Sequence, residues 1–150
     1  MRTIPDVNLL VYAYNSDAPH HAAAKAWWER LLSRRDTVGV PWMVSLGFVR
    51  LMTHRAVLVT PLPPPEAMDH VRSWLERSNV EVLEPGPRHL QILDSVLREL
   101  GAAGNLTTDA HLAALAIEHQ CELHSNDSDF ARFPGLRWRN PLAPDHPPKE

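Results

Sequence analysis

Apolar positions in this chain alternate between short runs and helical stripes. Thr3-Ile4-Pro5 is a brief run that ends at Asp6, and DVNLLVYAYN then sets Leu9, Leu10, Val11 and Tyr14 at helical intervals. Ala23, Ala24, Trp27, Leu31 and Leu32 mark an amphipathic helix over residues 19–34. Thr37–Val40 and Val80–Leu83 read as strands, Cys121–His124 as a buried strand, and 42–55 and 65–77 as helices. Leu90, Leu93, Val96, Leu97 and Leu100 form one stripe of a further helix that Gly101 terminates. Thr107 or Thr108 is expected to cap the helix that carries Asp109. Strands separated by helices pair in parallel, so the pattern predicts one α/β domain.

Fourteen prolines punctuate this pattern. Leu62-Pro63-Pro64-Pro65 reads as a stiff, extended connector between two helices. Residues 1–142 are expected to form the domain, and the proline-rich residues 143–150 a disordered tail. Trp27 and Trp28 point about 100° apart on a helix, so one is expected in the core and the other partly exposed at an interface.

Charge and composition narrow the partners. The net charge of −3, from 15 basic and 18 acidic residues, argues against coating nucleic acid by bulk charge. Local basic surfaces remain at Arg50, His54 and Arg55, and at Arg132, Arg137 and Arg139. The single cysteine, Cys121, excludes an internal disulfide and a multi-thiolate zinc site, and favours a reducing, cytoplasmic setting. The nine histidines form no HExxH motif, and His124 is expected to face the core from its strand. MRTIPDVNLLVYAYNSD lacks the long apolar run of a signal peptide or a membrane span.

Three aspartates fall where a short apolar run gives way to a helical pattern: Asp6, Asp109 and Asp127. Each alone is a good helix cap. Thr107, Thr108 and Asn8 offer other capping groups, which weakens that reading for Asp109 and Asp6. In an open α/β sheet the carboxyl ends of the strands converge on one crevice. Carboxylates gathered there repel each other unless a cation neutralises them, and a hard divalent ion prefers oxygen ligands.

The stretches DVNLLVYAYN, PWMVSLGFVRLMTH, GNLTTDAHLAALA and SNDSDFARFPGLRW, in that order, resemble the PIN-domain ribonucleases, and more closely the VapC toxins of toxin–antitoxin pairs. The resemblance implies a three-layer PIN-like domain, with a central parallel β-sheet flanked by helices. It implies a Mg2+- or Mn2+-dependent endoribonuclease, with RNA as substrate, a VapB-type antitoxin as partner and a homodimer as assembly. Asp6, Asp109 and Asp127 would be the metal-binding and catalytic acids, with Asp129 a rival for the third place and Ser125 and Asn105 in support. Residues 19–55 would hold the antitoxin groove. The family's usual glutamate, in a segment of the type V-T-L-A-E-L-R, falls at Phe48 here, and Arg50 is a candidate to meet phosphate in its place.

Two other functions compete. Dehalogenase-like phosphatases share a nucleophilic aspartate after the first strand, but Asn8 replaces their second acid and Lys25 and Lys149 are the only lysines. A PIN-like module weakened by loss of the glutamate would instead bind RNA or antitoxin without cleavage.

Overall fold

Thr3–Pro5 forms β1, buried along its whole length in the middle of the sheet. A strand covered on both faces needs no polar alternation, which is why Ile4 carries no exposed surface. The computed structural model describes residues 2–101 and 103–143. Among them β1 is followed by α1 (Val7–Tyr14), α2 (His21–Ser33), β2 (Val38–Gly39), α3 (Trp42–Met52), α4 (Pro64–Leu75) and β3 (Val80–Glu81). Then come α5 (His89–Leu100), α6 (Thr107–Glu118), β4 (Glu122–His124) and β5 (Arg137–Arg139). The strands lie in the order β3-β2-β1-β4-β5, and every pairing is parallel.

The topology positions the site. From β1 the chain steps outward through β2 and β3, then returns to the other side of β1 for β4 and β5. The order therefore reverses between β1 and β4, whose ends pair as Pro5 with His124. In a doubly wound sheet that reversal opens a crevice at the carboxyl ends of the two strands. The Asp6 amide closes the register by donating to the His124 carbonyl at 2.8 Å.

Several local expectations need correction. Pro64 and Pro65 belong to the first turn of α4 rather than to a connector, because the missing N–H costs nothing there. Neither threonine caps α6: a short 3-10 turn, Gly104–Leu106, runs directly into the helix, and no side chain supplies the cap. Trp27 and Trp28 are both buried, at 5% and 2% exposure, so neither presents an interface. Trp27 packs on His124, while Trp28 sits edge-on to Trp74 of α4, so α2 is covered on two sides.

Other features follow the sequence. Gly101 ends α5 in the left-handed conformation at φ 68°, as glycine allows without strain. His124 is buried on β4. β5 carries no apolar run, and its Arg137 and Arg139 are exposed at the sheet edge, where charge discourages further pairing. Of the expected tail only Ala143 is described, and residues 144–150 lie outside the described residues. No helix among the described residues is long and apolar enough to cross a membrane.

Candidate active site

Asp6 stands at the end of β1 and caps α1, with Oδ1 accepting from the Val7 amide at 2.8 Å. Its Oδ2 accepts from the Ser125 hydroxyl at 2.6 Å, a bond that spans the crevice from β1 to the chain leaving β4. Ser125 is fully buried, and its Oγ also accepts the Asp127 amide at 3.0 Å. One hydroxyl thus holds two of the expected acids in register. Asp127 in turn caps a 3-10 turn, Ser128–Arg132, through the Asp129 amide. For Asp6 and Asp127 capping and clustering coincide: each spends part of its lone-pair capacity on the backbone and keeps the rest.

Asp109 differs. It lies half-buried in the first turn of α6, and its carboxylate has no hydrogen-bond partner among the described residues. Burial, and then the charges of Asp6, Asp127 and Asp129, push its pKa up to about 6. Burial also raises Asp6, against the lowering effect of its bonds to Ser125 and Val7. Carboxylates from three separate chain segments therefore act on one another across the switch point. Asp129 belongs to this group by charge, although its side chain is exposed. Among the described residues no three His, Cys, Asp or Glu side chains stand close enough to enclose a metal ion directly.

The remaining expected residues are more peripheral. Asn105 is exposed in the 3-10 turn ahead of α6, and its side chain has no partner among the described residues. Arg50 is exposed in the last turn of α3, roughly 12 Å along the helix from its start, and it pairs with none of the acids. Phe48 is completely buried, edge-on against Tyr14 and Trp74, and contributes to the core rather than to the crevice. Gly47 of α3 looks toward the start of α1: a Cβ on it would come 3.3 Å from Val7 Cγ2. Position 47 therefore faces the residue that follows Asp6 in the chain.

The scaffold behind the acids carries less sequence signal. Trp138 on β5 donates to the Ser125 carbonyl at 3.0 Å, and Asn140 donates to Asn126 at 3.1 Å. Trp27 Nε1 donates to His124 Nδ1 at 2.9 Å, leaving Nε2 to donate to Glu122 Oε1 at 2.6 Å. Apart from Glu122 and His124, both on β4, these partners come from separate elements, and no local sequence pattern marks them.

Known proteins share this fold and much of this sequence. The PIN domain model matches residues 3–136. Ribonuclease VapC33 of Mycobacterium tuberculosis is 46% identical over 139 residues, covering 93% of this chain and 97% of that protein. Among solved structures, VapBC2 from Rickettsia felis, bound to a DNA fragment from its promoter, matches with a TM-score of 0.66 at 20% identity, covering 93% of this chain and 98% of its own. A toxin–antitoxin complex from Klebsiella pneumoniae matches with a TM-score of 0.60 at 16% identity, covering 93% and 97%. The structures speak for the fold, while the family model and the sequence identity speak for the lineage: the chain belongs to the PIN-domain family and, within it, to the VapC ribonucleases.

Proposed function

We propose that this ribonuclease is the toxin of a toxin–antitoxin pair and cleaves RNA phosphodiester bonds at the crevice between β1 and β4, using Mg2+ or Mn2+ held by Asp6, Asp109 and Asp127. The supporting observation is the gathering of acids at this crevice: the Ser125 hydroxyl holds Asp6 and Asp127 together, and Asp109, whose pKa their charges help to raise, has no hydrogen-bond partner among the described residues. An all-oxygen donor set suits a hard divalent ion, and Mg2+ keeps most of its waters, so a loose cluster of acids is an adequate host. Bound there, the ion would lower the pKa of a water and neutralise charge building on the phosphate. Ser125 holds Asp6 and Asp127 in place, and Asp129 adds negative charge beside them.

The antitoxin is the expected protein partner, since chains of this fold occur in such complexes. Within residues 19–55, α3 exposes Trp42 and Leu46 one turn apart, at 47% and 62%, and offers it an apolar face. A second copy of the chain and a cytoplasmic setting complete the reading; the buried, free thiol of Cys121 agrees with the latter.

A second reading rests on Gly47. With no acid on the face of α3 that looks toward the start of α1, the chain would be a weakened module that binds RNA or antitoxin without cutting. An RNA digest with Mg2+ or Mn2+ against a chelator control, on protein freed of antitoxin, separates the two. Cleavage that stops on chelation, and is lost in Asp6→Ala and Asp109→Ala while the circular dichroism spectrum persists, supports the nuclease. Equal activity in both variants and the wild type overturns the assignment of these acids. Binding without any cleavage establishes the weakened module.

A further inference from the structure

Beside the acids, but lined by none of them, lies a small polar cavity of about 160 Å3 between α2 and the ends of β4 and β5. Its walls include Trp27, Arg30, Arg34, His124 and Arg139. The three guanidiniums have no hydrogen bond or salt bridge among the described residues. Basic residues near the last turn of a helix complement its negative end, which accounts for Arg30 and Arg34. It does not account for Arg139, which arrives from β5 and converges on the same space. Glu122, on whose carboxylate the Arg139 charge acts, is already engaged by His124 at 2.6 Å. Three arginines without a hydrogen bond or salt bridge among the described residues, in a chain whose net charge is −3, call for an external anion.

Two further observations identify the anion. His124, in the cavity wall, is followed directly by Ser125, and the Ser125 amide donates to the Arg139 carbonyl at 3.1 Å. Neighbouring strands lie about 4.8 Å apart, so Arg139 starts within one strand spacing of the residue that precedes the crevice. Arg34 also lines a second hollow of about 620 Å3 with Arg35 and with Arg77, whose guanidinium keeps its charge while donating to the Leu32 carbonyl at 3.1 and 3.2 Å. The positive charge thus runs as a strip away from the acids, which suits a polyanion better than a single ion.

We propose that Arg139, Arg30 and Arg34, continued by Arg35 and Arg77, form a track that binds the phosphates of the RNA strand flanking the cleaved bond. The proposal rests on the ribonuclease reading and names where its substrate lies. The test measures binding of a single-stranded oligoribonucleotide of about ten residues to the full chain in chelator, over a series of salt concentrations. In the variant Arg30→Gln/Arg34→Gln/Arg139→Gln the affinity falls by an order of magnitude or more at physiological salt. The slope of log affinity against log salt shrinks by about 2, the loss expected for three phosphate contacts on a single strand. The same three positions changed to Lys restore most of the slope, because charge and not packing carries the effect. Glu122→Gln strengthens binding, a sign opposite to that of simple damage. Cleavage of a dinucleoside phosphate, too short to reach the strip, stays at the wild-type rate.

Unchanged affinity and slope in the glutamine variant overturn the proposal. So does weakened binding of an oligoglutamate peptide with RNA binding intact, which would assign the strip to an acidic protein partner. Failure of the wild type to cut any RNA with Mg2+ or Mn2+ overturns the ribonuclease reading instead, and leaves the binding series readable.

Discussion

Ser125 concentrates more of the site's organisation than any acid does. Its buried hydroxyl donates to Asp6 Oδ2 and accepts the Asp127 amide, so Ser125→Ala leaves one carboxylate short of a donor and one amide short of an acceptor. The expected cost is about 1–3 kcal/mol, read from the denaturant midpoint, together with a fall in RNA cleavage as both acids loosen. Because that bond lowers the pKa of Asp6, the variant also needs a higher pH to bind Mg2+. An unchanged pH dependence of metal affinity would show that Ser125 merely fills space. Sequence patterns marked the three acids because each stands where a short apolar run gives way to a helical pattern, although only Asp6 and Asp127 in fact follow a strand. They did not reveal which acids also serve as caps. Asp6 and Asp127 do, and the free one is Asp109, whose threonine neighbours leave the helix start uncapped.

Helix faces separate what could be read from the chain from what could not. The amphipathic stripe of α5 and its glycine stop follow directly from local periodicity, as does the β1–α1 boundary at Asp6. β5 escaped because RWR has no apolar signature, and its strand character comes only from pairing with β4. The two tryptophans of α2 were misjudged because helix geometry limits one stripe to one face, whereas α2 is covered from two sides. On α3 the same geometry decides where a fourth acid could stand. Phe48→Glu would place a carboxylate inside the Tyr14–Trp74 aromatic cluster, and the expected loss is more than about 4 kcal/mol with no gain in metal affinity. Gly47→Glu would aim a carboxylate along the face beside Val7, requiring that side chain to give by a few tenths of an ångström. Helix propensity favours the change by up to about 1 kcal/mol, so the protein should fold and bind Mn2+ more tightly by calorimetry. If Gly47→Glu and Phe48→Glu proved equally destabilising, the facing of α3 toward α1 would be in error.

Across the whole molecule, charge is sorted into an acidic crevice at the β1–β4 switch point and a basic strip running from β5 and α2. That sorting links the fold's stability to pH and to metal. The folded-state pKa of Asp109, about 6, lies above its ordinary value of 3.8. Folding therefore favours its protonated form, and the ionised carboxylate costs stability above pH 6. The penalty fades as pH falls from about 6 toward 3.8, where both folded and unfolded chains hold the proton. Asp6 is raised as well and adds in the same direction. Opposing contributions come from His111, lowered by burial and by His89, and from Glu118 and Glu122, both lowered, so a single melting curve against pH would mix signs. The difference between wild type and Asp109→Asn removes them. In chelator the variant should melt higher than the wild type at pH 7.5, and the gap should close toward pH 4. With Mg2+ or Mn2+ at neutral pH the order should reverse, because the ion stabilises only the chain that keeps its full set of carboxylates. A gap that neither depends on pH nor responds to metal would mean that Asp109 is an ordinary helix-end acid, and that repulsion in the crevice is not what prepares the site for a cation.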